Sequence, residues 1–166
     1  MANTSAGRTA KKKTKPAAPT WRELAKVTPA KERRWQHHQN RTRWLACGID
    51  WDAVSVEPME AGLDALTAMR AGTRSGYWVI ADRLRDRLYV AVPTGAGDVF
   101  AGLDGVRLLS TGHQLLVPST HEDATISADW VSHPQGREAP PLVDAERFAA
   151  QLRGLTAPVH ERAPMP

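Results

Sequence analysis

The chain has 166 residues, of which 42% are hydrophobic, and a formal net charge of +4. This length suits one domain, and the hydrophobic fraction is enough to form a core without disulfides or metal ions. Cys47 is the only cysteine, which excludes an intramolecular disulfide and a cysteine-based zinc site and favours a reducing compartment. No apolar run approaches the roughly 20 residues of a membrane span, and the N-terminus lacks the apolar centre of a signal peptide. We therefore predict a cytoplasmic protein with no membrane partner.

The charge is distributed unevenly along the chain. Residues 1–48 contain twelve Lys and Arg against two acidic residues, whereas residues 49–166 contain ten against sixteen. The two parts therefore carry opposite net charges. Such a split predicts a basic segment that attracts an anionic partner such as nucleic acid, attached to an acidic domain that does not attract it. A role in solubility alone would also explain the charge split. A separate alternative function is a protein-interaction module, in which the acidic domain and the tryptophan-bearing helices bind a partner chain or a second copy of this chain.

The N-terminal third divides into a predicted arm and a predicted helical extension. Residues 1–19 have no acidic residue and almost nothing to bury, which indicates a disordered basic arm. Residues 20–48 are predicted to be helical, with a first helix starting at Thr20 in a capping box and a second running from Thr28-Pro29 to Cys47. The side chains expected to bind nucleic-acid phosphates are cations of these two segments: Lys11, Lys12, Lys13, Lys15, Arg33, Arg34, Arg41 and Arg43.

Residues 49–156 are predicted to form an α+β domain, followed by a disordered tail over residues 157–166. Alternation over residues 51–56 indicates a strand, and a helical repeat of apolar residues follows Pro58. The runs at residues 77–81 and 88–92 indicate a hairpin, and so do 106–109 and 114–117, which are joined through Thr111-Gly112. A last helix starts near Leu142. This order predicts a mostly antiparallel sheet with helices packed on one face.

Three aspartates are candidates for metal binding. Asp50 and Asp52 have the spacing of a carboxylate pair on one strand face, and Asp82 ends a later strand. Paired carboxylates of this kind hold divalent ions in metal-dependent nucleotidyl transferases, which is one alternative function. Roles in turns would explain the same residues, and we predict no cofactor.

A glycine-rich segment over residues 93–102 resembles the Gly-Ala-Gly-Asp turn of ribokinase-like sugar kinases. In that family the turn opens a helix whose backbone N–H groups hold the transferred phosphoryl group. Here Pro93 replaces the acidic residue that the family carries before the threonine, and Gly102 and Gly105 interrupt any helix within two turns. A plain glycine-rich loop is the favoured interpretation.

A second resemblance covers residues 51 to about 153. The order of the Trp51-Asp52-Ala53-Val54 strand, the 63–69 helix and the two following strands is similar to small actinobacterial proteins related to the bifunctional primase-polymerase (prim-pol) domain. The run from Val106 to Ser119 and the later Trp130 resemble the same family. Active members are expected to carry an Asp-x-Asp pair in a central strand and a histidine in the next strand, and neither is present at residues 77–82 or 88–92. The resemblance therefore implies a non-catalytic scaffold, which we expect to bind nucleic acid through the basic arm.

Overall fold

A computed structural model describes residues 14–36, 41–135 and 140–156. Within these ranges no helix is both long enough and apolar enough to cross a membrane. The helices and strands follow in the order α1 (Trp21–Ala25), α2 (Pro29–Trp35), β1 (Thr42–Ala46), β2 (Asp52–Val56), α3 (Met59–Ala68), β3 (Val79–Asp82), β4 (Arg87–Val92), α4 (Gly97–Phe100), β5 (Val106–Leu109), β6 (Gln114–Pro118), β7 (Asp129–Ser132) and α5 (Ala145–Thr156).

The strands form two antiparallel sheets. The larger sheet has the order β5-β2-β4-β3-β7, and the smaller one is a two-stranded ribbon of β1 and β6. The prediction of an α+β fold with mostly antiparallel pairing is confirmed. The predicted hairpin of β3 and β4 is also confirmed, with Val79 opposite Val90 and Asp82 opposite Arg87.

Both faces of the larger sheet are covered. Every residue of β2 and β3 is buried. Helices α1, α3 and α5 cover one face in an apolar cluster around Val54, Val90 and Phe148, which we call the helix-side core. The other face packs against Leu115 and Val117 of the ribbon, around Ala53 and Ile80, which we call the ribbon-side core. The helices therefore lie on one face of the sheet, as predicted, and the ribbon lies on the other.

Helix α1 is part of the domain. The predicted capping box at its start is present, because the Glu23 N–H donates to Thr20 Oγ1 and the Thr20 N–H donates to Glu23 Oε2. Trp21 is 2% exposed within the helix-side core, and its indole N–H donates to the Ala71 carbonyl at 2.9 Å. Arg22 pairs with Asp64 at 2.6 Å. Helix α1 therefore contributes directly to the core.

A buried charge cluster attaches α1 and α2 to the edge of the larger sheet. Asp129, 1% exposed, accepts a hydrogen bond from Arg83 at 2.7 Å, and Lys31 Nζ lies 3.6 Å from the same carboxylate oxygen. Arg83 also donates to the Ala25 carbonyl and lies over the Trp35 ring at 5.3 Å. Burial lowers the pKa of Lys31, and the negative charge of Asp129 opposes that shift. One carboxylate thus connects cations from two different parts of the chain.

The predicted helix from Pro29 to Cys47 is wrong. Helix α2 starts at Pro29 with Thr28 as its cap, as predicted, but it ends at Trp35, and residues 37–40 lie outside the described ranges. Residues 42–46 form strand β1 instead, paired with β6 so that Arg43 lies opposite Val117 and Leu45 opposite Leu115. The backbone pairing and the partial burial of Leu45 against the ribbon-side core override the local helical preference of an arginine-rich segment.

The predicted second hairpin is also wrong. Strands β5 and β6 follow each other in sequence, but β5 pairs with β2 in the larger sheet, whereas β6 pairs with β1 in the ribbon. The turn at Thr111-Gly112 therefore carries the chain from one sheet to the other. Strand β7, which the sequence patterns do not predict, pairs with β3. Helix α5 begins at Ala145, three residues after the predicted start.

Parts of the predicted terminal segments lie outside the described ranges. These are residues 1–13, with Lys11, Lys12 and Lys13, and residues 157–166. Residues 14–19 form no helix or strand, and the Pro19 carbonyl accepts a hydrogen bond from Thr73 Oγ1 at 2.7 Å. The described end of the arm therefore contacts the loop between α3 and β3.

We predict that Trp21→Ala lowers the free energy of unfolding by about 3–5 kcal/mol, because the large indole is buried in the helix-side core. The matched control is Trp44→Ala on β1, whose side chain is 62% exposed, with an expected loss of about 0.5 kcal/mol or less. Urea unfolding followed by circular dichroism measures both values. Equal losses in the two variants would contradict the docking of α1.

Candidate nucleic-acid interface

An aromatic cleft opens where the ribbon meets β7, with a volume of about 180 Å³. Trp78 and Trp130 line it, with ring centroids 5.6 Å apart and planes at 75°. His121 and His133 line it as well, stacked with centroids 5.4 Å apart. We call these four side chains and the space between them the aromatic cleft. It offers several π-faces around a recess.

The sheet pairing explains how these rings come together. Trp130 lies opposite Ile80 in the pairing of β7 with β3, and Trp78 precedes Ile80 by two residues, so all three share the ribbon-side face. Trp51, which precedes β2, packs on Trp78 with centroids 5.3 Å apart. The Trp130 indole N–H donates to the Thr120 carbonyl at 3.3 Å. The cleft walls are therefore fixed by the sheet and by the 118–121 turn.

One polar group of the cleft has no partner among the described residues. The indole nitrogen of Trp78 is buried and makes no hydrogen bond. An indole N–H is a donor only, and a buried donor without an acceptor is unfavourable. A ligand with a carbonyl or ring-nitrogen acceptor could satisfy it after a small movement of the ring.

Arg43 supplies the positive charge at the cleft. It is exposed on β1 and lines the cleft beside the two tryptophans. The next residue, Trp44, is 62% exposed on the same strand. Arg41 is exposed just before β1, and its carbonyl accepts a hydrogen bond from the Ser119 N–H at 2.9 Å. A guanidinium beside aromatic faces is a common arrangement for binding a phosphate next to a stacked base.

Three of the other predicted phosphate-binding residues do not line the aromatic cleft. Arg33 and Arg34 are exposed on α2, and Lys15 is exposed before α1. Of the eight cations predicted from the sequence, Arg43 alone lines the aromatic cleft among the residues that the structure describes.

The three candidate metal-binding aspartates do not form one site. Asp52 starts β2 opposite Val92, whereas Asp82 ends β3 opposite Arg87. The five-residue offset along β4 separates them by roughly 16 Å in the strand direction alone, and the alternation of the strands puts them on opposite faces. Asp50 is exposed before β2, and Asp82 accepts hydrogen bonds from the backbone N–H and the guanidinium of Arg85 in the β3–β4 turn. No group of three or more potential metal ligands occurs among the described residues.

The glycine-rich loop has the form that the sequence favoured. Helix α4 is a single turn over Gly97–Phe100, and the chain leaves it through Gly102 at a φ of 74°. The loop borders a second cleft on the helix side of the sheet, together with Asp52.

Sequence reasoning missed the aromatic cleft. The run that contains Trp78 and Ile80 is recognisable as a strand from the sequence. Trp130, which lies opposite Ile80, belongs to β7, and β7 has no clear strand pattern. His121 and His133 become neighbours only through the fold of the 118–134 segment. The available signal was the content of six tryptophans in a chain with only two phenylalanines and two tyrosines.

Comparison of the chain with protein-family models, with curated proteins and with solved structures finds no match. None of the three comparisons links it to the prim-pol family.

We predict that Cys47 reacts slowly in the folded protein. Burial, and then the negative charge of Asp52, raise the pKa of its thiol to about 11. The reactive thiolate is therefore scarce near pH 8, and alkylation by iodoacetamide should be about 100-fold slower than in urea, where the pKa is near 8.5. The rate in the folded protein should rise with pH up to about 11. A plateau near pH 9, as expected of an ordinary thiol, would contradict this prediction.

Proposed function

We propose that the protein is a non-catalytic module that binds single-stranded nucleic acid. One base occupies the aromatic cleft, and the neighbouring phosphates pair with Arg43 and with other cations of residues 1–48. The observation that carries this proposal is the position of Arg43 at a cleft whose walls include Trp78 and Trp130. The proposal also accommodates the prim-pol resemblance, since it assigns the chain binding without chemistry.

The shape of the cleft favours a single strand over a duplex. Bases in a duplex are stacked on each other, whereas an unpaired base can enter a recess and stack on an aromatic ring. The cleft is small, about 180 Å³, which suits one base rather than several. The buried indole N–H of Trp78 lacks a partner in the described part of the chain and can donate to a base carbonyl. Stacking of this kind tolerates any base.

The charge distribution supports the same partner. The excess of Lys and Arg falls in residues 1–48, the part of the sequence that includes β1, whereas residues 49–166 carry more acidic than basic residues. Phosphate contacts by such cations give affinity without reading sequence and make it depend steeply on salt. The alternative of a metal-dependent nucleotidyl transferase is disfavoured by the separation of Asp52 from Asp82, which prevents the two carboxylates from holding one pair of ions.

Fluorescence anisotropy with a labelled thymidine oligonucleotide tests the proposal. We expect the full chain to bind the single strand more tightly than a duplex of the same length. Trp130→Ala should weaken single-strand binding by about tenfold, since one stacked base contributes about 1–3 kcal/mol. Trp130→Phe should retain most of the affinity. Arg43→Ala should weaken binding and reduce the slope of log affinity against log salt by about 0.7.

The matched control for Arg43 is Arg107→Ala. Arg107 is exposed on β5, at the opposite edge of the larger sheet from β7. It should leave both the affinity and the salt slope unchanged. Full affinity in Trp130→Ala, with a cooperative melt like that of the wild type, would exclude the aromatic cleft. Absence of binding by the wild type would remove nucleic acid as the partner and leave protein interaction as the remaining hypothesis.

A further inference from the structure

A second cleft lies on the helix side of the sheet, away from the aromatic cleft. It has a volume of about 400 Å³ and lies between the start of β2, the 94–98 loop and the 110–111 turn. This volume is within the usual range for pockets that bind small molecules, roughly 300–1,000 Å³. We call it the Asp52 cleft.

Asp52 is the central polar group of this cleft. It is 1% exposed, and its Oδ2 accepts a hydrogen bond from the Gly95 N–H at 3.2 Å. Its Oδ1 is buried and has no hydrogen-bond partner among the described residues. A buried carboxylate oxygen without a partner is unfavourable, and the sheet holds Asp52 in place because it pairs with Val92 in β4. A ligand that donates a hydrogen bond to Asp52 Oδ1 would therefore be stabilised there.

The rest of the lining favours a cationic donor. Asp98 adds a second, exposed carboxylate, and the hydroxyl-bearing residues Thr94, Ser110 and Thr111 contribute further polar groups. Among the described residues, no Lys, Arg or His lines this cleft, and its two carboxylates give this lining a negative charge. Gly48, at a φ of 85°, permits a close approach of Thr111, since a Cβ there would lie 2.3 Å from the Thr111 backbone nitrogen. The cleft is thus an acidic, hydroxyl-lined recess.

We propose that the Asp52 cleft binds a small organic cation, with an alkylammonium or guanidinium group donating to Asp52 Oδ1. An ammonium has three donors, which matches one carboxylate oxygen together with nearby hydroxyl oxygens. A second cationic end of the ligand would reach Asp98 at the exposed side. A short aliphatic diamine, or the corresponding amine with a guanidinium group, has this chemistry. A divalent metal ion is a poorer match because it requires about six oxygen ligands arranged around one point.

Isothermal titration calorimetry of the full chain with 1,4-diaminobutane and with agmatine tests this proposal. We expect saturable binding at one site. Asp52→Asn keeps the shape of the side chain and the acceptor for Gly95, and it should weaken binding by at least about tenfold, as expected for loss of a charge-assisted hydrogen bond. Asp98→Asn should weaken it less, because that carboxylate is exposed.

The matched control is Asp104→Asn, which removes the same charge from an exposed residue outside the cleft and should not change the affinity. Gly97→Leu is a second test that leaves both carboxylates intact. Gly97 lines the cleft, and a Cβ there would meet only Leu108, at 3.8 Å, so the added side chain should fill the space and abolish binding. If Asp52→Asn fails to fold, Gly97→Leu still tests whether the amines bind in the Asp52 cleft.

Three results would overturn the proposal. One is the absence of amine binding at concentrations up to about 10 mM, well above the range of a specific site. Another is wild-type affinity for the amines in both Asp52→Asn and Gly97→Leu, when circular dichroism shows that both variants are folded. The third is binding of Mg²⁺ or Mn²⁺ that requires Asp52 while neither amine binds, which would make the cleft a metal site. Oligonucleotide binding is measured separately, so its failure would leave these results unaffected.

Discussion

The structure depends on a sheet whose central strands are apolar on both faces. Strands β2 and β3 are buried throughout, and only two residues of β4, Arg87 and Tyr89, are partly exposed. Side chains alternate between the faces of a strand, so strands of this kind need a packing layer on each side. Helices α1, α3 and α5 supply one layer, and the β1–β6 ribbon supplies the other. Helix α1 and strand β1, both before residue 49, therefore help to complete the fold on its two sides.

The same constraint produces both clefts. The ribbon is only two strands wide, so it leaves Trp78 and Trp130 partly uncovered beside Arg43. On the other face, the helix layer leaves the start of β2 open, and one oxygen of Asp52 there has no hydrogen-bond partner in the described part of the chain. Both openings occur at the end of the sheet where β2 and β3 begin. The aromatic cleft on the ribbon side is lined by Arg43 and tryptophans, whereas the Asp52 cleft on the helix side is lined by two carboxylates, which is why we assign them different ligands.

The sequence was sufficient where the signals are local. The Thr20 capping box, the alternation over residues 51–56 and the β3–β4 hairpin each depend on neighbours a few residues apart, and all three are present. The prediction for the segment that forms strand β1 was wrong because its partner β6 lies about seventy residues away in the sequence, and because its own arginines favour a helix. The turn at Thr111-Gly112 has a sequence typical of a hairpin, but β5 pairs with β2 and β6 pairs with β1, and both partners are distant in sequence. The aromatic cleft depends on the pairing of β7 with β3, which has no local signature.

The most direct test of the account is a titration of the ¹⁵N-labelled full chain with a thymidine oligonucleotide, observed through the indole N–H resonances of its six tryptophans. Single Trp→Phe variants assign the resonances. We expect the resonances of Trp78 and Trp130 to shift on binding, whereas the resonance of Trp21, buried in the helix-side core, should not shift. Binding that leaves Trp78 and Trp130 unchanged would contradict this expectation and would move the interface to the basic residues outside the cleft.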